Sequence, residues 1–333
     1  MGQPLSDAAL AADFAGKTVL VTGGGGYLGS ALVALLHRFD CHIVRLSRHG
    51  GTGQETAAWR VRELRGDIAD PAIWEQSLGG VDFVFHLAAQ TSTYIANADP
   101  VADQAVNVAP MLYLLEGCRR QGVSPTVCFA STVTVAGLPQ RLPVDETHPD
   151  HPLTIYDLHK QMAEQYLRWY AEQGLVRGVT LRLANVYGPG PHSGSADRGI
   201  LNQMIRRALA GEPLTVYGGG EQLRDYVYVD DVTRAFVAAA GEAERLNGQH
   251  FVIGSGEGHS IAQAMEMIAE GAAARTGQAV PVLHVEPPAA LSPIEGRNFI
   301  ADPRRFGQAT GWRPHYSLAQ GIERTMEAFL CKS

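Results

Sequence analysis

The sequence predicts an α/β fold, a doubly wound parallel sheet carrying a smaller C-terminal α/β lobe. Three observations predict it. Short β-branched runs alternate with helical patterns through the first half of the chain, the signature of a helix-covered parallel sheet. Several runs are continuously apolar, such as Thr18-Val-Leu-Val and Phe83-Val-Phe, as strands covered on both faces must be. A glycine cluster, Thr22-Gly-Gly-Gly-Gly-Tyr-Leu-Gly29, follows the first run directly and opens a helix.

Taken in order, an N-terminal extension (1–15) has two acids and neither a basic start nor an apolar run, so it reads as neither signal peptide nor anchor. The first domain (16–185) has strands at Lys17–Thr22, His42–Leu46, Val61–Leu64, Asp82–His86, Thr126–Ala130 and Gly178–Leu183. Helical patterns at Tyr27–Phe39, Val101–Gln121 and Thr154–Gln173 fill the gaps. Beyond Asn185 the rhythm changes. Gly188-Pro-Gly-Pro191, Gly218-Gly-Gly220 and Pro287-Pro288 separate shorter elements of a second lobe (186–333). The strand pattern at Gln249–Ile253 is a candidate to return to the first domain.

The 333 residues are 45% hydrophobic, enough for one large core or a core plus a lobe. A net charge of −7 gives no reason to expect a nucleic acid or an anionic membrane as partner, and no apolar window is long enough to span a bilayer. Cys41, Cys118, Cys128 and Cys331 are scattered without metal-binding or disulfide spacing, which points to a reducing cytoplasm. His148, His151 and His192 lie in polar turns and read as surface residues, so no metal is expected.

In the strand–glycines–helix context, Gly23 permits a tight turn, Gly26 lets the backbone approach a pyrophosphate, and Gly29 lets helix and strand pack closely. The new helix presents free N–H groups to the phosphates. Tyr27 and Leu28 lie in the same turn, so a Rossmann-type nicotinamide cofactor, NAD or NADP, is expected. The second strand ends in Ser47-Arg48 where an acid would hold the ribose diol of NAD. The pair suits the 2′-phosphate of NADP, or Arg48 stacks on adenine. Asp67, with Ile68, is placed to accept from the adenine amino group or to cap a helix before Pro71. Leu87, Ala88 and Ala89 are small or apolar and let the cofactor lie against the backbone, while His86 reads as a packed strand residue.

Tyr156-Asp-Leu-His-Lys160 opens a strong helical pattern, and residues four apart share a helix face. A free tyrosine titrates near ~10. A neighbouring ammonium favours its phenolate, so Tyr156 gains the capacity to exchange a proton with a hydroxyl while hydride leaves the same carbon. Lys160 is also placed to hold the nicotinamide ribose. Thr132 ends the fifth strand at the carboxyl edge, where such sheets bind ligands; Ser131 reads as a strand-end cap.

T-G-x-x-G-x-x-G, H-L-A-A, S-T, Y-x-x-x-K and L-R-x-x-N-V-Y-G-P-G occur here in that order. From about Lys17 to Phe329 the chain resembles the extended short-chain dehydrogenase/reductases, in particular their nucleotide-sugar epimerase and dehydratase group. The resemblance implies a Thr132–Tyr156–Lys160 triad, with Asn107 as a supporting residue. Leu214-Thr-Val-Tyr-Gly-Gly-Gly-Glu-Gln-Leu-Arg-Asp-Tyr-Val-Tyr-Val-Asp-Asp231 is similar to the group's nucleotide-binding segment. It implies a nucleotide-sugar substrate whose diphosphate is held by Arg224, Arg297 and Asn185, with Val216 and Tyr217 near the base. Arginine suits that task because its planar fork matches phosphate oxygens. Asp230 and Asp231 read as helix caps. The resemblance also implies a homodimer built through the Val101–Gln121 and Thr154–Gln173 helices.

Dehydratases of the group carry an Asp-Glu pair after the catalytic threonine, and decarboxylating members keep a glutamate. Val133 and Thr134 stand here instead, which disfavours dehydration. Ala136 replaces the tyrosine usual in the following loop and reshapes the sugar pocket, to which the loops Gln90–Asn97, Ala136–Arg141 and His192–Arg198 contribute, Gln90 as a substrate contact. Two enzymatic readings follow. A 4-epimerase of UDP-hexose type oxidises the sugar transiently to a 4-keto form on a retained cofactor, which favours NAD. An NADPH-dependent keto-sugar reductase is the alternative, and Ser47-Arg48 favours it. A catalytically silent NAD(P) sensor is a third reading, countered by the complete triad.

Overall fold

The computed structural model describes residues 7–48, 60–191, 199–288 and 291–331. The strands are β1 (Thr18–Thr22), β2 (His42–Ser47), β3 (Val61–Arg65), β4 (Phe83–His86), β5 (Thr126–Thr132), β6 (Arg177–Leu183), β7 (Asn185–Tyr187), β8 (Leu214–Tyr217), β9 (Leu223–Arg224), β10 (Tyr226–Tyr228), β11 (Gln249–Ile253), β12 (His259–Ser260) and β13 (Val282–Val285). Seven of them form one sheet in the order β11-β6-β5-β4-β1-β2-β3, parallel throughout. The order reverses between β1 and β4, and both ends meet there: Thr22 pairs with His86 in the register. Thr22 Oγ1 fixes that junction, lying 3.0 Å from His86 Nδ1 and accepting from the amides of Leu87 and Ala88 at 3.1 Å each.

The continuous apolar runs are explained by a core on each face. On one side Val19, Val21, Phe85 and Leu181 pack beneath the helices Tyr27–Leu36 and Val229–Gly241. On the other, Leu20, Val84, Val127 and Phe129 meet Trp74, Leu115 and Leu167 from three further helices. A third cluster, with Leu214, Ile205, Ile268 and Met326, is the core of the lobe. The lobe's pairings are short: β7 with β10 and β8 with β13 in parallel, β9 with β12 antiparallel.

Two helical expectations are corrected. The pattern at Val101–Gln121 is two helices, Pro100–Asn107 and Ala109–Gln121, interrupted at Val108. Pro110 is the cause, because it lacks an N–H and its ring clashes with the carbonyl four residues back. The first helix ends at Leu36 rather than Phe39, closing in a turn in which Phe39 donates to Leu36 O at 2.9 Å. The Ile155–Glu172 helix starts with a reciprocal capping box between Thr154 and Asp157.

Candidate active site

The glycine turn is closed by backbone. Gly23 has φ +67°, and a Cβ there would lie 2.9 Å from Ala88 Cα; one at Gly29 would lie 2.1 Å from the Gly23 carbonyl. Gly24 lies over the stem of Arg45, whose Nε is 3.4 Å from Glu63 Oε1. Gly26 begins the helix with no side-chain cap, so its first N–H groups stay available to an anion. At the β2 end, the Ser47 hydroxyl is buried with no hydrogen-bond partner in the protein. Arg48 is exposed, its carbonyl accepting from Arg65 Nε at 3.1 Å. A backbone cradle with no room for side chains, beside a buried hydroxyl that has no protein partner, fits a dinucleotide.

Other expected cofactor contacts divide. Leu87, Ala88 and Ala89 are half-buried beside the glycine turn and Ile68 is buried. Leu28 packs against the core. Tyr27 turns its side chain to the lobe, donating to the Gly188 carbonyl at 3.1 Å. Asp67 is exposed and accepts from the Ala69 amide at 3.0 Å, while the helix Pro71–Ser77 is capped by Asp70; the capping role expected of Asp67 is therefore corrected.

Tyr156 and Lys160 lie in the first turns of the Ile155–Glu172 helix, 7% and 3% exposed. Burial pulls the Lys160 ammonium down to about 7, opposed by the carboxylates of Glu164 and Asp103. Its Nζ stands 4.1 Å from the Phe129 ring centroid, within cation–π range. His86 is wholly buried and held down to about 3 by burial and then by Lys160, so it is neutral at ordinary pH, a packed strand residue as expected.

Thr132 ends β5, and its Oγ1 is 2.7 Å from that of Thr134, which donates to Asp157. This hydroxyl chain ties the strand end to the residue beside Tyr156. Asp157 is completed by Thr154 at 2.7 Å, and burial raises its pKa. Ser131 is not a strand cap; it donates to Glu164, which also receives Arg182 at 2.7 Å.

In the lobe, Arg224 is 3% exposed and donates to the carbonyls of Leu223, Arg297 and Glu295. Burial lowers its pKa. Arg297 reaches Asn185 Oδ1 at 3.4 Å, so those two expected diphosphate residues meet. The Glu295 carboxylate stands 3.7 Å from Arg224 and 3.8 Å from Arg297, an acid between two cations that sequence reasoning did not find. Val216 and Tyr217 occupy opposite faces of β8: Val216 is buried in the lobe core and Tyr217 is half-exposed, so only Tyr217 has a side chain open to a base. Asp231 is corrected as well. It is no cap of its own helix but accepts from the amides of His315 and Tyr316, and burial raises its pKa to about 6.

The side chain of Gln90, expected to contact substrate, donates to Ser92 O at 2.8 Å and Asp103 Oδ1 at 2.7 Å. Asn107 donates to the Gln90 carbonyl and to Asp103, both at 2.9 Å. Asp103 and His159 were missed. The Asp103–Asn107 spacing of one helical turn was a readable signal; the partnership with His159 was not. The loop expectation at 192–198, His192 included, falls outside the described residues. No metal-binding group of His, Cys, Asp and Glu occurs among the described residues.

The profile of the NAD dependent epimerase/dehydratase family matches residues 19–254. The chain belongs to this family. That makes it a nicotinamide-dependent enzyme of the extended short-chain dehydrogenase/reductase type. Among members of the family, the UDP-glucose 4-epimerase of Mycolicibacterium smegmatis is 33% identical over 322 residues, 94% of this chain and 99% of its own. The crystal structure of the Thermotoga maritima UDP-glucose 4-epimerase with UDP-glucose superposes with a TM-score of 0.84 at 31% identity, over 95% of this chain and 99% of that one. The Thermus thermophilus UDP-glucose 4-epimerase, in complex with NAD, gives 0.81 at 32% identity, over 94% and 99%.

Proposed function

We propose that this enzyme is a nucleotide-sugar 4-epimerase of UDP-hexose type. The observation that carries the reading is the Thr132–Thr134–Asp157 chain, which joins the strand end to the residue after Tyr156 and offers hydroxyls where elimination would require an acid. A nicotinamide cofactor, which the glycine turn at Gly23–Gly29 would hold, would supply a reversible hydride acceptor. Tyr156 takes the proton of the sugar 4-hydroxyl and returns it to the same oxygen when C4 is reduced on its other face. The Lys160 ammonium favours the phenolate during that exchange, and Thr132 Oγ1 orients the reacting oxygen. Arg224, Arg297 and Asn185 hold the diphosphate. Incubation with UDP-glucose, UDP-N-acetylglucosamine and UDP-glucuronate, followed by proton NMR, tests the reading; inversion at C4 without net oxidation is expected.

The adenosine end supports NADP over NAD. Among the described residues β2 ends at Ser47, followed by Arg48, without a carboxylate, the Ser47 hydroxyl has no protein partner, and the Arg48 carbonyl accepts from Arg65 beside it. Wild-type protein should bind NADP more tightly than NAD, and Ser47→Asp should reverse the order, a change of roughly tenfold or more in relative affinity. Isothermal titration with both nucleotides measures this, and an NAD preference in the wild type would refute it. Consumption of one NADPH per keto sugar would instead give the reductase reading.

Leu112, Met162, Tyr166 and the half-exposed Trp169 line a cavity of about 620 Å³ on the Ala109–Gln121 and Ile155–Glu172 helices. This apolar patch supports a homodimer through these helices. Trp169→Glu should elute as a monomer, and an unchanged mass by light scattering would count against the interface. No helix among the described residues is long and apolar enough to cross a membrane. The free cysteines, with Cys41, Cys118 and Cys128 buried, support a cytoplasmic location.

A further inference from the structure

Asp103 is 2% exposed, and its two carboxylate oxygens are shared among three parts of the fold. Oδ2 lies 2.7 Å from His159 Nδ1; Oδ1 accepts from Gln90 at 2.7 Å and from Asn107 at 2.9 Å. A carboxylate only accepts, so His159 carries a proton on Nδ1. His159 precedes Lys160 on the catalytic helix, and Gln90 follows the segment whose Ala88 closes the glycine turn. One side chain therefore braces the Pro100–Asn107 helix, the Tyr156–Lys160 helix and the wall of the cofactor site.

The charges around Lys160 give the brace a second role. Two carboxylates oppose the burial that disfavours the ammonium, Glu164 from the same helix and Asp103 from the neighbouring one. Glu164 is already matched by the Arg182 guanidinium at 2.7 Å, and Arg182 also takes Asp150 at 2.6 Å. Asp103 receives two amides and an imidazole N–H, and no lysine or arginine of the described residues pairs with it. The Phe129 ring and the uncharged His86 also lie against Lys160, which shares its helix face with Tyr156 one turn earlier. We propose that Asp103 is a positioning residue: hydrogen-bonded to His159, the neighbour of Lys160, it sets a carboxylate against the catalytic helix and, through His159 and Gln90, fixes that helix against the cofactor wall. The proposal rests on the reading that Tyr156 and Lys160 work as a pair.

The ammonium is lost as pH rises, so removing the Asp103 charge moves that loss to lower pH. In Asp103→Asn the alkaline limb of kcat, measured with UDP-glucose on the holoenzyme, should fall by roughly one pH unit. A second readout needs no turnover. The ultraviolet titration of the Tyr156 phenolate, taken as the difference from Tyr156→Phe, should shift upward in Asp103→Asn. Asp99→Ala removes the cap of the same helix and should lower Tm while moving neither curve. Asp103→Glu keeps the charge; it should lower kcat with the limb unmoved. The proposal is overturned if Asp103→Asn superposes on wild type in both titrations, or if Asp103→Glu displaces the limb as the Asn variant does. If UDP-glucose is not turned over at all, the substrate reading fails while the phenolate titration still decides the role of Asp103.

Discussion

Tyr156→Phe should lose turnover by about 10²- to 10⁴-fold, the range that general acid–base groups supply, while the protein stays folded with its cofactor bound. The ring is 7% exposed, and phenylalanine fills the same volume, so packing is preserved and only the titrating oxygen is removed. The Lys160–Phe129 contact and the Thr132–Thr134–Asp157 hydrogen bonds are made by other atoms. Initial rates of C4 inversion, with mass-spectrometric quantification of the nucleotide released on denaturation, separate chemistry from binding. A near-normal rate would remove Tyr156 from the mechanism. A large loss of bound nucleotide would make it a cofactor ligand before anything else.

Arg224→Ala should raise KM by roughly 10- to 100-fold, the equivalent of losing a charged hydrogen-bonding partner of the diphosphate, with a smaller effect on kcat. The variant also leaves the carbonyls of Leu223, Glu295 and Arg297 without their buried donor, so Tm should fall too. Arg224→Lys separates these effects. It keeps the charge and loses the fork, so KM should still rise while Tm recovers in part. Kinetics run well below the transition temperature of each variant make the comparison clean. An unchanged KM in the alanine variant would argue that the diphosphate lies elsewhere. Glu295 enters here as well, since a substrate anion approaching both arginines meets a carboxylate already within 4 Å of each.

The parts of this molecule that the sequence announces are those governed by neighbours along the chain. Strands buried on both faces must be apolar throughout, and Gly23 and Gly29 are demanded by contacts within the turn itself and with the adjacent strand end. Tyr156 and Lys160 are legible because four residues make one helical turn. The break at Val108 was missed because a proline near the start of a helix and one that ends the preceding helix are the same proline. Strands of two residues, such as β9 and β12, are too short to show any period. The remaining omissions are long-range. Asp103 finds His159 at a separation of 56 residues, and Arg224 finds the Arg297 carbonyl at 73, distances over which no local pattern carries information.

β11 lies at the edge of the parallel sheet, paired with β6 from Gln249 to Ile253, although much of the lobe, including β8 and β10, precedes it in the chain. A nascent chain therefore cannot complete its cofactor-binding sheet when residue 183 leaves the ribosome. It must wait through the synthesis of lobe segments with β6 unpaired on one side, an exposed apolar edge. The same holds for truncation: a fragment ending near residue 185 would contain the glycine turn and the Tyr156–Lys160 pair and still present an open, aggregation-prone edge. Attempts to express the two halves separately should fail for that reason, whereas a split placed after Ile253 would leave the sheet whole.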